Sequence, residues 1–389
     1  MKVLIAEDEQ STRMRLQRNL EKLGFQPTAA ENGAEAWKLF QDGDFPLVLT
    51  DWMMPEMDGL ELIQKIRSDS QPQFTYVIML TSKSETSEIV EGMEAGADDF
   101  VTKPFDRNEL RVRVRAGQRM VDLERTLSEQ NQRMKRDLDA AAELQKSLLP
   151  SEAPDIDGVS FAWTFRPCDE LAGDILGVFK LDKEHVGFYV ADVSGHGVAA
   201  SLLSVSISRM MSPLPSPSSL LVQEVGGEQH NRIAPPSEVI RELNRRFPME
   251  ESGGRFFSIV YGILNVSTRV LQVASAGHPP VMRVSTDQVV KPLEAEGMLV
   301  GVVEDYEYEH CEIQLNAGDR LVAYSDGVVE QQNANDEEFG EQRLIAEIAE
   351  SQSNPLDEIV RSLETDVVNW SKDGRLDDDL SILAVQLQP

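Results

Sequence analysis

The chain has 389 residues, of which 41% are hydrophobic and 27% are charged, so it holds enough apolar material for two globular domains. Its formal net charge of −30 argues against sequence-independent binding to nucleic acid, because phosphates would be repelled. The two cysteines, Cys168 and Cys311, show neither metal-site spacing nor a disulfide framework. The sequence contains no signal-peptide pattern and no stretch near the roughly 20 apolar residues of a membrane span. We therefore expect a cytoplasmic protein that binds neither nucleic acid nor membranes.

The first predicted domain, residues 1–119, alternates short apolar runs with amphipathic stretches. The runs 3–6, 47–50 and 77–81 have the composition of strands that are buried on both faces. Segments with helical periodicity lie between them, such as residues 12–23. This alternation predicts an α/β domain with a parallel sheet covered by helices.

The predicted linker, residues 120–149, belongs to a longer stretch, 110–149, that has no proline and a single glycine, which predicts one long helix. An apolar row recurs every seven residues and consists of Met120, Leu127, Met134, Ala141 and Leu148. The offset row is mixed, with Leu123 and Leu144 but also Gln130 and Asp137. The pattern fits a coiled coil with a second copy of the chain or a single amphipathic helix packed on its own domain. We expect the homodimer.

The second predicted domain, residues 150–389, begins at Pro150, which ends the helix. Its strand-like runs are residues 188–193, 256–265, 270–276, 320–324 and 381–386. Helical patterns at 236–246 and 356–370 interrupt these runs, so we expect an α+β domain. Residues 212–236 are rich in Pro, Ser and Gly and are predicted to form an exposed loop.

Acidic side chains follow two predicted strands of the first domain. Glu7 and Asp8 come directly after the first strand, and Asp51 comes directly after the strand at 47–50. Because ligands gather at the carboxyl ends of parallel strands, we expect the three carboxylates to converge. They would repel one another unless a cation lies among them, and Mg²⁺ prefers such oxygen ligands.

Two further residues are expected at the same edge of the sheet. Thr81 ends the strand at 77–81, and Lys103 precedes Pro104. A phosphoryl group on Asp51 would need a hydroxyl donor and an ammonium group, which these residues can supply. We expect a cis peptide bond before Pro104.

These motifs resemble those of the receiver domain of two-component response regulators in order and spacing. The matching groups are Glu7-Asp8, Asp51 with Met54-Pro55 and Asp58-Gly59, Thr81-Ser82, residues 95–99, and Lys103-Pro104-Phe105. The resemblance implies a flavodoxin-like, five-stranded parallel sheet with helices on both faces. It implies that Asp51 accepts phosphate from a histidine kinase or phosphotransfer protein. It also implies that Glu7, Asp8, Asp51 and the Met53 carbonyl hold Mg²⁺, and that Thr81, Phe100 and Lys103 form the switch.

Four aspartates of the second domain lie beside apolar runs and close to glycines, and they are Asp174, Asp192, Asp326 and Asp378. Glycine lets the backbone approach closely, and oxygen ligands without cysteine suit Mg²⁺ or Mn²⁺. Two such ions sharing a carboxylate would activate a bridging water and clamp phosphoryl oxygens without a side-chain nucleophile. The alternative is a set of turn and helix-cap residues, which Asp-Gly pairs commonly supply.

Residues 140–389 resemble the bacterial branch of the metal-dependent type 2C protein phosphatases, which includes the SpoIIE-like sporulation phosphatases and the stress-response phosphatases. The matching runs are 143–150, 171–174, 190–197, 275–280, 323–327 and 377–381. The resemblance implies an α-β-β-α sandwich that binds two Mn²⁺ or Mg²⁺ ions. Asp192 would bridge both ions, the Val193 carbonyl would bind one, and Asp326 and Asp378 would bind the second. Asp174 would act as a ligand or directly behind the ligands.

One pair of positions departs from the family. The family usually has a second aspartate three residues after the one matching Asp174, preceded by an aromatic residue. Leu176 and Gly177 occupy these positions here, which affects the surroundings of the first metal. We interpret His278 as a structural hydrogen-bonding residue, and we assign His196 no catalytic role.

The expected function is a response regulator whose Asp51 phosphorylation controls a phosphoserine/phosphothreonine protein phosphatase. In relatives with this domain pair, the substrate is typically a phosphoserine on an anti-sigma-factor antagonist. Activation and inhibition by phosphorylation both fit the sequence. The competing hypothesis is a receiver-controlled scaffold that binds a sigma-factor regulatory partner without chemistry. A DNA-binding response regulator is disfavoured, because no basic helix-turn-helix segment follows the receiver.

Overall fold

The computed structural model describes residues 1–69, 74–82, 86–214, 216–224, 231–287, 289–351 and 353–388. The chain divides into two compact units, Met1–Arg136 and Asp137–Pro389. None of the helices in these described ranges combines the length and the apolar character that a membrane span requires.

The first unit contains a parallel sheet of five strands in the order β2-β1-β3-β4-β5. The strands are β1 (Lys2–Ala6), β2 (Gln26–Ala30), β3 (Leu47–Asp51), β4 (Tyr76–Thr81) and β5 (Asp99–Thr102). The three central strands are almost entirely buried, which explains their continuous runs of Val, Ile and Leu.

Helices cover both faces of this sheet. They are α1 (Gln10–Lys22), α2 (Gly33–Asp42), α3 (Gly59–Ser68), α4 (Thr86–Glu94) and α5 (Arg107–Lys146). Leu16 of α1 and Val114 of α5 pack on one face, whereas Phe40 of α2 and Ile63 of α3 pack on the other. The predicted five-stranded α/β fold is therefore confirmed.

The second unit is built from two antiparallel sheets, each of five strands. One sheet has the order β15-β12-β11-β8-β7 and the other has the order β14-β13-β16-β17-β6. The strands are β6 (Val159–Arg166), β7 (Ile175–Lys180), β8 (His185–Val193), β11 (Phe257–Asn265), β12 (Val270–Ala276), β13 (Met282–Val284), β14 (Val290–Pro292), β15 (Cys311–Gln314), β16 (Arg320–Tyr324) and β17 (Leu380–Leu387).

The sheets face each other, and helices pack on their outer faces. The helices are α6 (Val198–Met210), α7 (Pro236–Arg246), α8 (Asp326–Val329), α9 (Gly340–Ser351) and α10 (Leu356–Trp370). Phe188 and Leu383 lie in the core between the sheets. Leu243 of α7 belongs to the core outside the first sheet, and Leu363 of α10 belongs to the core outside the second. The predicted α-β-β-α sandwich is confirmed.

The predicted exposed loop at residues 212–236 is wrong in part. β9 (Val222–Glu224) pairs with β10 (Asn231–Ile233) in a short antiparallel ladder. Leu220 and Leu221 are buried in the same core as α6 and α7, because apolar side chains interrupt the Pro- and Ser-rich stretch. Residues 215 and 225–230 lie outside the described residues.

Candidate functional site

Three carboxylates converge at one edge of the first unit's sheet. Glu7 follows β1 directly, Asp8 is next in the chain, and Asp51 ends β3. One carboxylate oxygen from each lies within 4.8 Å of the others. Glu7 is fully buried, Asp51 is half-buried and Asp8 is exposed. The strand ends therefore form the acidic cluster that the sequence predicted.

Lys103 neutralises part of this cluster. Its Nζ lies 2.7 Å from Glu7 Oε2 and 2.8 Å from Asp51 Oδ2. Burial disfavours the ammonium form, but hydrogen bonds to Asp51 and Glu7 outweigh this effect and raise the pKa of Lys103. Burial raises the pKa of Glu7, as does the charge of Asp51, although Lys103 opposes both. The Lys103–Pro104 peptide bond is cis, as expected.

Backbone contacts fix the acidic cluster in place. Arg13 Nη1 donates hydrogen bonds to the carbonyl oxygens of Glu7 and Asp8, at 2.7 and 2.9 Å. The Trp52 N–H donates to Asp51 Oδ1 at 2.8 Å. Arg13 was not singled out by the sequence analysis, because its role depends on these backbone contacts.

The predicted switch residues lie on the neighbouring strands. Thr81 is buried at the end of β4, and its carbonyl accepts a hydrogen bond from the Lys103 N–H at 2.6 Å. Phe100 of β5 is half-buried, with the Arg113 guanidinium 5.7 Å from its ring centroid. Met53 follows Trp52 beyond β3, with 63% of its surface exposed. Glu7 Oε1 is buried with no hydrogen-bond partner in the described part of the chain, so this oxygen-rich cluster fits a magnesium ion.

The second cluster lies at one end of the sandwich and joins both sheets. Asp174 precedes β7, Asp192 lies near the end of β8, Asp326 begins α8 directly after β16, and Asp378 precedes β17. Burial, and then the charges of Asp326 and Asp378, raise the pKa of Asp192 to about 7. Burial and the charge of Asp378 raise the pKa of Asp326 to about 6. The carboxylates of Asp192, Asp326 and Asp378 are therefore close enough for their charges to act on one another.

Asp174 is the most deeply buried of the four, at 1% exposure. Burial, and then the charges of Asp192 and Asp379, raise its pKa. Its Oδ2 atom has no hydrogen-bond partner in the described ranges. A Cβ at the preceding Gly173 would lie 2.6 Å from the Val193 carbonyl oxygen, so only glycine allows this approach. Clustered oxygens with unmet hydrogen-bonding capacity fit hard divalent cations.

Gly177, which stands where the family usually has a second aspartate, lies against an aromatic ring. Gly177 lies opposite Tyr189 on the neighbouring strand, and a Cβ at position 177 would overlap the Tyr189 ring. Tyr189 packs in the core between α6 and the sheet that contains β7 and β8, and not in the core between the two sheets of the second unit. Position 177 is therefore filled by the tyrosine ring, which leaves no room for a carboxylate there.

We expect Gly177→Ala to lower the free energy of unfolding by about 1–3 kcal/mol, because the added methyl group overpacks the Tyr189 ring. Urea unfolding of the variant measures this loss. In a Tyr189→Ala background the same substitution should cost far less, since the ring has been removed. An equal loss of unfolding free energy in the two backgrounds would show that the Tyr189 ring does not fill the space at position 177.

The histidines of this unit differ in environment. His278 is buried, and its Nδ1 lies 2.7 Å from Ser258 Oγ. Burial lowers the pKa of His278 to about 3, so the side chain is neutral at physiological pH. This agrees with a structural role. His196 is exposed, and its Nδ1 lies 3.3 Å from an Asp169 carboxylate oxygen.

Gln145 holds the end of α5 against the second cluster. It is buried, and its Nε2 donates to the Ala172 carbonyl at 2.7 Å and to Ser204 Oγ of α6 at 3.1 Å. Its Oε1 accepts from the Ala172 N–H at 3.1 Å. Gln145 was not predicted as a site residue, because no local sequence pattern separates it from the exposed glutamines of the same helix.

Comparison with known families agrees with both units. Residues 3–115 match the model of the response regulator receiver domain, and residues 182–388 match the model of stage II sporulation protein E (SpoIIE). The second match covers more than half of the chain, and the chain belongs to the SpoIIE family, with an N-terminal receiver domain and a C-terminal phosphatase domain of the type 2C fold. Both resemblances predicted from the sequence are confirmed.

Individual relatives match the chain as follows. The phosphoserine phosphatase RsbU of Bacillus subtilis is 29% identical over 264 residues, which is 67% of this chain and 73% of RsbU. The transcriptional regulatory protein SrrA of Staphylococcus aureus is 42% identical over 114 residues, which is 29% of this chain and 46% of SrrA. The solved SiaA-PP2C domain of Pseudomonas aeruginosa has a TM-score of 0.53 at 18% identity, covering 66% of this chain and 98% of that domain. The last likeness concerns the fold alone.

Proposed function

We propose that the chain is a response regulator in which phosphorylation of Asp51 controls a metal-dependent phosphoserine/phosphothreonine protein phosphatase. The observation that carries the proposal is a set of four aspartates in a SpoIIE-family domain, each with a pKa that is raised by burial and by the charge of at least one neighbouring aspartate. Carboxylates that raise one another's pKa are stabilised as anions by divalent cations. The proposed boundaries are 1–119 for the receiver, 120–149 for the linker and 150–389 for the phosphatase.

In the phosphatase, Asp192 would bridge two Mn²⁺ or Mg²⁺ ions and the Val193 carbonyl would bind one of them. Asp326 and Asp378 would hold the second ion, and Asp174 would act as a ligand or directly behind the ligands. The bound ions would supply an activated water and neutralise the phosphoryl oxygens. Asp192 and Asp326 would release protons on binding, since their pKa values are raised to about 7 and about 6 in the metal-free protein.

In the receiver, Asp51 would accept the phosphoryl group from a histidine kinase or phosphotransfer protein. Glu7, Asp8, Asp51 and the Met53 carbonyl would hold Mg²⁺. Lys103 already contacts Asp51 Oδ2 at 2.8 Å, so its ammonium group is positioned to neutralise a phosphoryl oxygen. Thr81 and Phe100 would report phosphorylation by changing position.

The proposed substrate is a phosphoserine on an anti-sigma-factor antagonist protein in the cytoplasm. The support is the similarity to RsbU, whose name is that of a phosphoserine phosphatase. The net charge of −30 supports a partner other than nucleic acid.

Phosphate release from phosphorylated anti-sigma-factor antagonists tests this function, with Mn²⁺ and with or without acetyl phosphate as a phosphodonor. The expected result is metal-dependent release whose rate changes when the phosphodonor is added. Binding of the antagonist without any release, in Mn²⁺ or Mg²⁺, would favour the scaffold hypothesis instead.

We place the coupling between the two activities in α5, whose last turns carry Gln145. Gln145→Leu removes three hydrogen bonds and leaves Ala172 polar groups unpaired, which should cost about 1–3 kcal/mol of unfolding free energy. The ratio of phosphatase rates with and without phosphodonor should also fall towards one, since the helix no longer holds the Ala172 backbone. The exposed Gln132 of the same helix offers a matched control, Gln132→Leu. A variant that keeps the wild-type ratio would refute this coupling.

We also propose that the linker forms a homodimer through the apolar row of α5. Exposed fractions of 43% for Met120, 49% for Leu127 and 60% for Met134 leave this row available to a second copy. Leu127→Glu should raise the dimer dissociation constant at least about 100-fold, because two buried leucines are lost at about 1.5 kcal/mol or more each. Sedimentation equilibrium measures the change, with Ser128→Glu on the neighbouring helix face as the control. A monomeric wild-type chain would disprove the dimer.

A further inference from the structure

Three consecutive aspartates, Asp377 to Asp379, have different surroundings. Asp377 is exposed, and its Oδ2 accepts hydrogen bonds from Gln331 Nε2 at 2.7 Å and the Gln332 N–H at 3.1 Å. Asp378 is also exposed and belongs to the proposed metal site. Asp379 is buried, with 2% of its surface exposed. The sequence indicated a role for Asp378 and none for Asp379.

The Asp379 carboxylate accepts hydrogen bonds from three backbone amides of one distant segment. The Cys168 N–H donates to Oδ1 at 2.9 Å, and the Gly173 N–H donates to Oδ2 at 2.7 Å. The Asp174 N–H donates to the same Oδ2 at 3.3 Å. A single side chain thus fixes the backbone on which Asp174 is carried.

The Asp379 backbone contacts a second segment of the site. Its carbonyl oxygen accepts a hydrogen bond from Ser325 Oγ at 3.2 Å, and Ser325 immediately precedes Asp326. A Cβ at Gly327 would overlap the same carbonyl oxygen, so the start of α8 lies directly against it. Asp379 therefore touches the segments on both sides of Asp326 as well as the segment of Asp174.

A third link leads from Asp379 to the strand of Asp192. Gly173, whose N–H is bound by Asp379, lies against the backbone of the loop that follows β8. A Cβ at Gly173 would lie 2.6 Å from the Val193 carbonyl and 2.8 Å from the Gly195 carbonyl. A shift of Gly173 would consequently disturb the proposed ligands at 192 and 193.

We propose that Asp379 is a positioning residue that sets the spacing of the four phosphatase aspartates before any metal binds. This inference rests on the proposed metal-dependent phosphatase. Asp379 acts through hydrogen bonds to backbone amides, whereas Asp378 supplies oxygen to the metal. Partners behind the ligands of a metal site typically change its affinity 10- to 100-fold when they are removed.

The test is Asp379→Asn in the full chain, because asparagine keeps the shape and turns one acceptor into a donor that faces an N–H group. We expect the Mn²⁺ dissociation constant from calorimetry to rise about 10- to 100-fold. In metal-free protein, deuterium exchange at the amides of Cys168, Gly173 and Asp174 should be at least about tenfold faster, because these three N–H groups donate to Asp379. Asp319→Asn is the matched control, since Asp319 is a buried carboxylate before β16, at the opposite end of that strand from Asp326.

The outcomes separate this inference from the proposed function. A wild-type chain that neither binds Mn²⁺ nor hydrolyses phosphoserine would remove the proposed function. Suppose that the wild-type chain binds Mn²⁺ and hydrolyses phosphoserine, and that Asp379→Asn has the same Mn²⁺ affinity and the same amide exchange as the wild type. This result would overturn the positioning role and leave the proposed function intact. Weaker Mn²⁺ binding with unchanged metal-free exchange would also overturn it, because Asp379 would then be a direct ligand. If the variant does not fold, slow exchange at these amides in metal-free wild type supports the role and loop-like exchange overturns it.

Discussion

Replacing Asp192 by asparagine is expected to lower Mn²⁺-dependent phosphoserine hydrolysis at least about 100-fold. The proposed bridging carboxylate contributes to both metal ions, and losing several kcal/mol of transition-state stabilisation changes the rate by factors of this size. Phosphate release from a phosphoserine protein at saturating Mn²⁺ measures the effect. The control is again Asp319→Asn. The Asp319 carboxylate lies 2.6 Å from the Arg283 guanidinium, and neither residue is a predicted metal ligand. Near-wild-type turnover in Asp192→Asn would rule out the two-metal site.

The same substitution should stabilise the metal-free protein above neutral pH. Burial raises the pKa of Asp192 to about 7 in the folded chain, whereas an unfolded aspartate has a pKa of about 3.9. The stability gained from the proton on Asp192 is therefore fully present below about pH 4 and is lost as the pH rises through about 7. This loss amounts to up to about 4 kcal/mol, and asparagine avoids it. Thermal unfolding of metal-free protein at pH 4.5 and pH 8 should show the difference between variant and wild type growing with pH.

Replacing Asp51 by asparagine is expected to abolish labelling of the receiver by acetyl phosphate and to remove the phosphodonor response of the phosphatase. An amide cannot form the acyl phosphate, and Lys103 loses one of its two carboxylate partners, at 2.8 Å. Phosphate-affinity electrophoresis measures labelling, and the phosphatase assay with and without phosphodonor measures the response. Basal phosphatase activity should remain, since the second cluster is untouched.

The matched control for Asp51 is Asp42, an exposed aspartate at the end of α2. Asp42→Asn makes the same chemical change on the same unit and should leave both labelling and response intact. If Asp51→Asn were labelled at the wild-type rate, the phosphoryl group would be accepted elsewhere and the assignment of the receiver site would fail.

Strands that are buried along their whole length can be predicted from the sequence, whereas partly exposed strands cannot. β1, β3 and β4 are buried on both faces, so they are readable as apolar runs. β2, with the sequence QPTAA, lies at the sheet edge with only Ala30 fully buried, so its composition carries little strand signal. The family resemblance, and not periodicity, supplied that strand.

The candidate sites were predictable to the extent that they depend on strand ends. Glu7, Asp8 and Asp51 follow apolar runs of a predicted parallel sheet, so topology indicated that they would meet. The resemblance to the type 2C phosphatases, and not topology, indicated the roles of the four phosphatase aspartates. The roles of Gln145 and Asp379 depend on residues far away in the chain. Ala172 lies 27 residues after Gln145, and the amides that donate to the Asp379 carboxylate lie more than 200 residues before it. Local pattern cannot distinguish Asp379 from Asp378, because only the folded chain shows which carboxylate meets the amides of Cys168 and Gly173.

The pairing of Gly177 with Tyr189 has an evolutionary consequence. The two positions share one volume, so a single substitution cannot introduce an aspartate at 177 without a steric penalty. The ring would first have to become smaller, and that intermediate would carry a cavity with its own cost. Gly187 with Phe179 and Gly262 with Phe188 repeat the arrangement in the same sheet. Both orders of substitution towards an aspartate at 177 are therefore obstructed, and descendants of this chain should retain the glycine and the aromatic residue together or replace them together.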